Sequence, residues 1–338
     1  MTKIKVQNIA VCFCCLLMLA GCSPTIASRT EFVLDTLCTI TLYEYGKEQV
    51  YNEIFGRLRE IENRMSVHRK GTELDNINAA AGLAPVKVSA DVFMVIETAL
   101  YYASLSGSAF DPSVGPLVSL WDIGGDPRVP GQEEIDRVLS LVNWNDVELD
   151  RQNSTVFLKK PGMVLDLGAI AKGYAADEAA AIIRKAKIPR AIIDLGGNIL
   201  LVGEKKDKSL WGVGIQNPQS DRGGYLGIVR VREKTVVTSG VYERFFWADD
   251  VLYHHIFSPF DGYPARNNFF SVTIISDRSI DADALSTAVF VMGYEKGSAL
   301  VDSLEGVDAV FVFDDQSIRI TSGVDFTLTD DDYRVVRD

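Results

Sequence analysis

The chain has 338 residues, 47% of them hydrophobic, and a formal net charge of −12. That is enough apolar material for a full core in one large or two small domains. The acidity excludes the basic face that a nucleic-acid binder needs, and it makes a divalent cation the natural companion of any polyphosphate bound here.

In chain order, Lys3 and Lys5 precede an apolar run from Ile9 to Leu19 that is too short to span a bilayer comfortably and ends in Leu19-Ala20-Gly21-Cys22. This pattern reads as a bacterial lipoprotein signal. Residues 1–21 are expected to be removed, Cys22 to be lipidated, and residues 22–31 to serve as a tether. The protein is then exported and held on a membrane, facing the periplasm or the extracellular side. Of five cysteines, Cys12, Cys14 and Cys15 leave with the signal and Cys22 carries lipid, so only Cys38 remains and no internal disulfide is expected. No Cys/His spacing matches a zinc site.

Phe32 to Tyr43 alternates apolar and polar residues and reads as one strand. Val50, Ile54, Leu58, Ile61 and Met65 recur at helical spacing, which predicts a helix over Glu48 to Met65. Ser66 to Gly82 reads as a polar loop, and Ser89 as the N-cap of a helix reaching Leu105. Ala109 to Trp121, broken by prolines and glycines yet apolar, reads as a packed loop that either lines a ligand or connects elements. Gln132 to Leu141 is a short helix. Strands are expected at Ala191–Asp194, Ile199–Val202, Trp211–Ile215, Gly227–Val231, Thr235–Thr238, Phe270–Ile275, Ala309–Phe313 and Ile318–Thr321. Hairpin-length connections dominate and helices segregate from strands, so the fold class is α+β, with largely antiparallel sheets flanked by helices in a single compact catalytic domain.

Four stretches carry candidate chemistry. Met163 to Leu165 reads as a strand ending at Asp166, followed by a glycine turn and an alanine-rich helix to about Lys185. Free N–H groups at that helix start, with Lys172 beside them, suit phosphate oxygens, although an ordinary strand-turn-helix with a surface lysine has the same pattern. In Asp281–Ala288, Asp283 and Thr287 share one helix face and make either half of a hard-cation site or an acidic first turn with a neutral threonine. Within Ser239–Phe246, Arg244 either meets a phosphate or pairs with Glu243. His254 and His255 point to opposite faces of a strand, so one can serve as a base in a cleft, or as a hydrogen-bonded structural histidine.

These stretches occur in one order, together with Ala109–Trp121 and the Asp194–Ile199 turn, and in that combination the chain resembles the ApbE-type FAD:protein FMN transferases of the bacterial envelope. The resemblance runs from about Phe32 to Gly293 and beyond, within a domain taken as 32–338. It implies that FAD is a substrate, that Mg2+ bridges its pyrophosphate, and that FMN passes to a threonine hydroxyl of an acceptor protein with release of AMP. The acceptor it implies is a flavoprotein subunit or domain of a membrane redox system. By motif, Asp166 and Lys172 contact FAD, and the Ala169 carbonyl binds the metal with Asp283 and Thr287. Ala109, Phe110 and Asp111 line the flavin or adenine pocket. Leu34 stands where the family has a flavin-contacting Met. Arg244 joins the cofactor-binding set. His255 and Ile256 lie near the reacting phosphate, with His255 and Asp283 as the catalytic pair. Leu34-Asp35 departs from the family's Met-Gly, and Ser258 from the Asp usual before Pro259; both bear on pocket shape rather than on the reaction. Two other readings remain at this point: an FAD pyrophosphatase releasing FMN and AMP, and a lipid-anchored flavin-binding protein.

Overall fold

The computed structural model describes residues 27–44, 47–220 and 223–336. The signal and Cys22 lie outside the described residues. A nine-stranded sheet runs in the spatial order Ala27–Val33, Thr36–Tyr43, Arg190–Leu195, Asn198–Val202, Thr235–Gly240, Phe269–Ser276, Asp308–Phe313, Ser317–Ile320, Arg334–Val336. Every pairing in it is antiparallel except the last. The expected α+β architecture is therefore present.

The period of two along each strand divides the core. Ile193, Val237, Val272, Ile274 and Phe311 face the helices. Leu201, Val236, Ile275, Val310 and Val312 face the other way, where the small sheet Asp325–Leu328, Tyr225–Val231, Trp211–Gln216 covers them. Burial on both faces explains why Asp308–Phe313 is an almost unbroken apolar run.

Four expectations are corrected. Residues 27–31, expected to lie in a tether, are instead part of the strand Ala27–Val33, which pairs fully with Thr36–Tyr43; Thr30 and Thr39 bridge their hydroxyls at 2.8 Å, and such polar β-formers suit an outer strand. Phe32–Tyr43 is accordingly the end of a hairpin and its second strand, not one strand. Leu34 and Asp35 turn the chain with φ of 56° and 55°, the left-handed pair that a two-residue hairpin loop requires. Met163–Leu165 forms only an isolated bridge, Val114 to Val164, since its polar groups go to side chains: Leu165 exchanges two hydrogen bonds with the Asn78 amide, at 2.8 and 3.0 Å. Short helices occupy Glu73–Ala79 and Gly115–Trp121, both within stretches read as loops. Glu48–Met65 and Ala90–Leu105, the latter capped by Ser89, are as expected.

Helices Ala171–Lys185 and Ser279–Met292 cross at Gly173. A Cβ at that position would lie 2.2 Å from the Ser279 carbonyl oxygen and 2.7 Å from the Asp283 Cβ, so only glycine permits the approach. Neither helix has a capping side chain at its own N-cap. Each is capped by the other. Asp177 accepts from the Ser279 and Ile280 N–H groups, both at 2.9 Å, and Asp283 accepts from the Gly173 N–H at 2.8 Å.

A separate hairpin, Phe245–Ala248 with Val251–His254, rests on Trp121 through Tyr253, and the Trp121 indole donates to the Gly262 carbonyl at 2.9 Å. His254 is 5% exposed. Its Nε2–H donates to the Ala265 carbonyl at 2.9 Å and its Nδ1 accepts from the Ile256 N–H at 3.2 Å, so both ring nitrogens serve the fold.

Two outcomes follow from these contacts. Asp177→Ala strands two buried N–H groups and should lower stability by roughly 2–3 kcal/mol, seen as a lower urea midpoint at unchanged slope; a loss below about 0.5 kcal/mol would remove the cross-capping role. Burial holds the His254 imidazole down at about 4. Between that value and the ordinary imidazole range the unfolded chain binds the extra proton, so His254 makes stability rise with pH across this window and is fully favourable above it. Denaturation between pH 4.5 and 8 should therefore show a shallower pH slope for His254→Gln than for the wild type.

Candidate active site

The stretch from Met163 to Ile170 is irregular and firmly held. The Asp166 N–H donates to the Pro112 carbonyl at 2.8 Å, and the Gly115 N–H to the Val164 carbonyl at 3.2 Å, which joins this stretch to the Ala109–Trp121 segment. Asp166 closes its own turn by accepting from the Gly168 N–H at 2.7 Å. Ala169 is half-buried, and the helix begins two residues later. That helix N-terminus carries Lys172, which is half-buried and forms no salt bridge among the described residues.

Asp283 faces this N-terminus. It is 5% exposed, and burial pushes its carboxyl above the usual range, against the opposing pull of Lys172, the Gly173 N–H and the Asn198 amide. Asn198 is itself oriented by Ser279, whose hydroxyl donates to its Oδ1 at 2.7 Å, which leaves its Nδ2 to face the Asp283 carboxylate. One turn on, Thr287 lies 3.4 Å from the Ser239 hydroxyl. Proton directions there are fixed by elimination. Ser286 donates to the Asp283 carbonyl at 2.9 Å, which can only accept, and Ser239 donates to Ser286 at 2.8 Å. Ser239 therefore receives from Thr287, and the Thr287 lone pairs stay free.

Among the described residues no group of three or more His, Cys, Asp or Glu is placed to hold a metal ion. The donors gathered here are one carboxylate, one hydroxyl and a nearby backbone carbonyl. All are hard oxygens, too few for a closed protein cage and suited to Mg2+, which keeps waters and takes substrate oxygens as further ligands. The residues fit that ion.

His255 is half-buried. Its backbone N–H donates to the Arg244 carbonyl at 3.1 Å, and its Nδ1 lies 3.2 Å from the same oxygen. A carbonyl has no proton to give, so Nδ1 carries the hydrogen and Nε2 keeps its lone pair. Burial, then the positive groups of His254, Lys172 and Arg244, hold the imidazole down at about 3, so it is neutral in the free protein. Lys172 and Arg244 both act electrostatically on His255, and Lys172 acts on Asp283 as well. The Arg244 side chain is exposed and free of salt bridges among the described residues.

The structure thus brings Lys172, Asp283, Thr287, His255 and Arg244 toward one place, with Asp166 and Ala169 on the loop leading into it. The other expected residues sit differently. Ala109, Phe110 and Asp111 are at most 7% exposed. Both Asp111 carboxylate oxygens accept hydrogen bonds, one from Ser113 in the same loop and one from the Trp144 N–H, so this side chain ties the loop to the turn at Trp144–Asp146. Ile256 is buried with its N–H and carbonyl both in hydrogen bonds. Leu34 is half-buried in its left-handed turn, and its N–H donates to Glu62 at 3.0 Å. Cys38 is buried and its thiol is pushed up to about 12, which makes it inert. Sequence reasoning passed over Asn198 and Ser239, although both lie inside stretches it had marked. It also missed Asn78, a polar residue in a segment read as loop, and Asp177, a carboxylate on a helix face filled with alanine.

A hollow of about 370 Å³ lies between Glu48–Met65 and Ala171–Lys185, but its Arg57, Glu60 and Glu178 are already joined in ion pairs and none of the residues above reaches it.

The model of the ApbE family matches residues 34–311. The chain is 40% identical to an FAD:protein FMN transferase of Treponema pallidum, over 88% of this chain and 87% of that one. It is 38% identical to one of Klebsiella pneumoniae, over 91% and 96%. Among solved structures, the ApbE protein of Thermotoga maritima superposes with a TM-score of 0.81 at 32% identity, covering 88% of this chain and 97% of that one. The flavin transferase ApbE of Vibrio cholerae gives 0.77 at 27% identity, with 90% and 96% covered. By sequence and by fold, the chain belongs to the ApbE family.

Proposed function

We propose that this protein transfers the FMN part of FAD to a threonine hydroxyl of an acceptor protein and releases AMP. The observation that carries the reading is the convergence of an unpaired lysine at a helix N-terminus, a buried carboxylate and a neutral histidine with a free Nε2. The names of the relatives, FAD:protein FMN transferase, point to the same reaction.

The acceptor oxygen attacks the phosphorus that bears the riboflavin. A new P–O ester bond forms as the anhydride P–O bond breaks, the bridging oxygen leaves with AMP, and the hydroxyl proton passes to His255 Nε2. Positioning and charge neutralisation supply most of the acceleration in such transfers. Lys172 and Arg244 bind and orient the diphosphate beside the positive end of the helix, whose first N–H groups are already taken by Asp283, Leu167 and Ile170. Asp283, Thr287 and the Ala169 carbonyl would hold Mg2+, which offsets the charge of the pyrophosphate and of departing AMP. A histidine held at about 3 is a weak base. Bound diphosphate offsets the Lys172 and Arg244 charges, the smaller part of this depression, and so shifts it upward in the FAD complex. The Leu19–Cys22 box supports a lipidated Cys22, which would put the enzyme on the outer side of a membrane beside an acceptor subunit of a redox system.

Mass spectrometry of an acceptor domain incubated with the protein, FAD and Mg2+ should show the gain of one FMN, abolished by chelator. Free FMN and AMP beside an unmodified acceptor would replace transfer by pyrophosphate hydrolysis, and unchanged FAD would leave only binding. His255→Ala should keep FAD affinity and lose turnover by about 10²–10⁴. Asp283→Asn should lose the response to Mg2+. In the wild type the acid limb of kcat, which reports the FAD complex, should lie at higher pH than that of kcat/KM, which reports the free enzyme.

A further inference from the structure

The hairpin Phe245–Ala248/Val251–His254 stands apart from the nine-stranded sheet and pairs with no other strand among the described residues. Phe246 and Tyr253 stack at 5.4 Å and rest on Trp121, which anchors the hairpin. On the other face, Phe245 and Trp247 are 43% and 62% exposed, while Val251, on the Tyr253 face near the tip, is 42% exposed. Contact with the core does not explain them, and an exposed apolar cluster on so small an element marks a place of association. Beside it lies a cavity of about 300 Å³ whose walls include Trp247, Val251, Leu252, Pro264, Phe269 and Phe290. Both ends of the hairpin belong to the candidate active site. Arg244 precedes its first strand, His255 follows its second, and the two are joined by the pair of contacts to the Arg244 carbonyl. A protein hydroxyl that reaches His255 Nε2 therefore comes to the base of this hairpin.

We propose that the hairpin and its cavity dock the acceptor protein, with Trp247 and Phe245 packing on it while an apolar or aromatic side chain near its hydroxyl-bearing residue fills the cavity. This rests on the transfer reading above. A membrane surface is the less suitable occupant, because the hairpin turns through Asp249 and Asp250, both exposed, and two carboxylates at the tip oppose approach to anionic headgroups.

Rates of FMN transfer should be measured at saturating FAD against increasing concentrations of an acceptor domain that the wild type modifies. Trp247→Ser and Val251→Lys should each raise KM for the acceptor by about tenfold and leave KM for FAD unchanged. Tyr225→Ser, which removes a comparably exposed aromatic from another sheet, should change neither. An unchanged acceptor KM in both hairpin variants overturns the proposal. So does a shift confined to FAD, or a loss of binding to phosphatidylserine vesicles with the acceptor KM intact. A wild-type protein that binds FAD but modifies no acceptor would bring down the transfer reading, and the docking surface with it.

Discussion

Two helices that cap each other hold the chemistry of this molecule in place. Asp177 closes the start of Ser279–Met292, and Asp283, on that helix, closes the start of Ala171–Lys185. The arrangement needs Gly173, because no side chain fits at the crossing. It also explains how a carboxylate as buried as Asp283 survives. Burial opposes its charge, while the N–H groups and positive end of the facing helix favour it. One side chain thereby fixes the geometry of two helices and presents an oxygen to a cation. Thr287 follows on the same face, and the hydroxyl chain through Ser239 and Ser286 ties that face to the sheet.

The same constraint resolves an electrostatic difficulty. A chain of net charge −12 has no general attraction for a dinucleotide. Attraction is instead local. The helix N-terminus, Lys172 and Arg244 create a small positive region in which neither side chain is neutralised by a carboxylate within salt-bridge reach among the described residues. Burial first, and the positive groups of this region after it, keep His255 unprotonated in the free protein.

Much of this was legible in the sequence, for identifiable reasons. The helix Glu48–Met65 announces itself by five apolar residues at helical spacing, and Ser89 by its capping chemistry. Asp283, Lys172 and His255 were visible as candidates, each with an ordinary structural alternative that spacing alone did not remove. The hairpin at Leu34-Asp35 was hidden because neither residue advertises a left-handed turn as glycine or asparagine would. Met163–Leu165 has the composition of a strand, yet Asn78, some 87 residues away, takes its hydrogen bonds. The Asp111 carboxylate is held by Ser113 and by the Trp144 N–H, a partner 33 residues away that spacing does not reveal. Cross-capping by Asp177 could not be read from spacing, since it joins positions 102 and 103 residues apart.

The most direct test of this account is a crystal structure of the protein with FAD and Mg2+. It should place the diphosphate against Lys172 and the N-terminus of Ala171–Lys185, the cation on Asp283 and Thr287, and the FMN phosphorus within reach of His255. A diphosphate bound elsewhere, for example in the hollow beside Arg57 and Glu178, or a cation that does not touch Asp283, would contradict it.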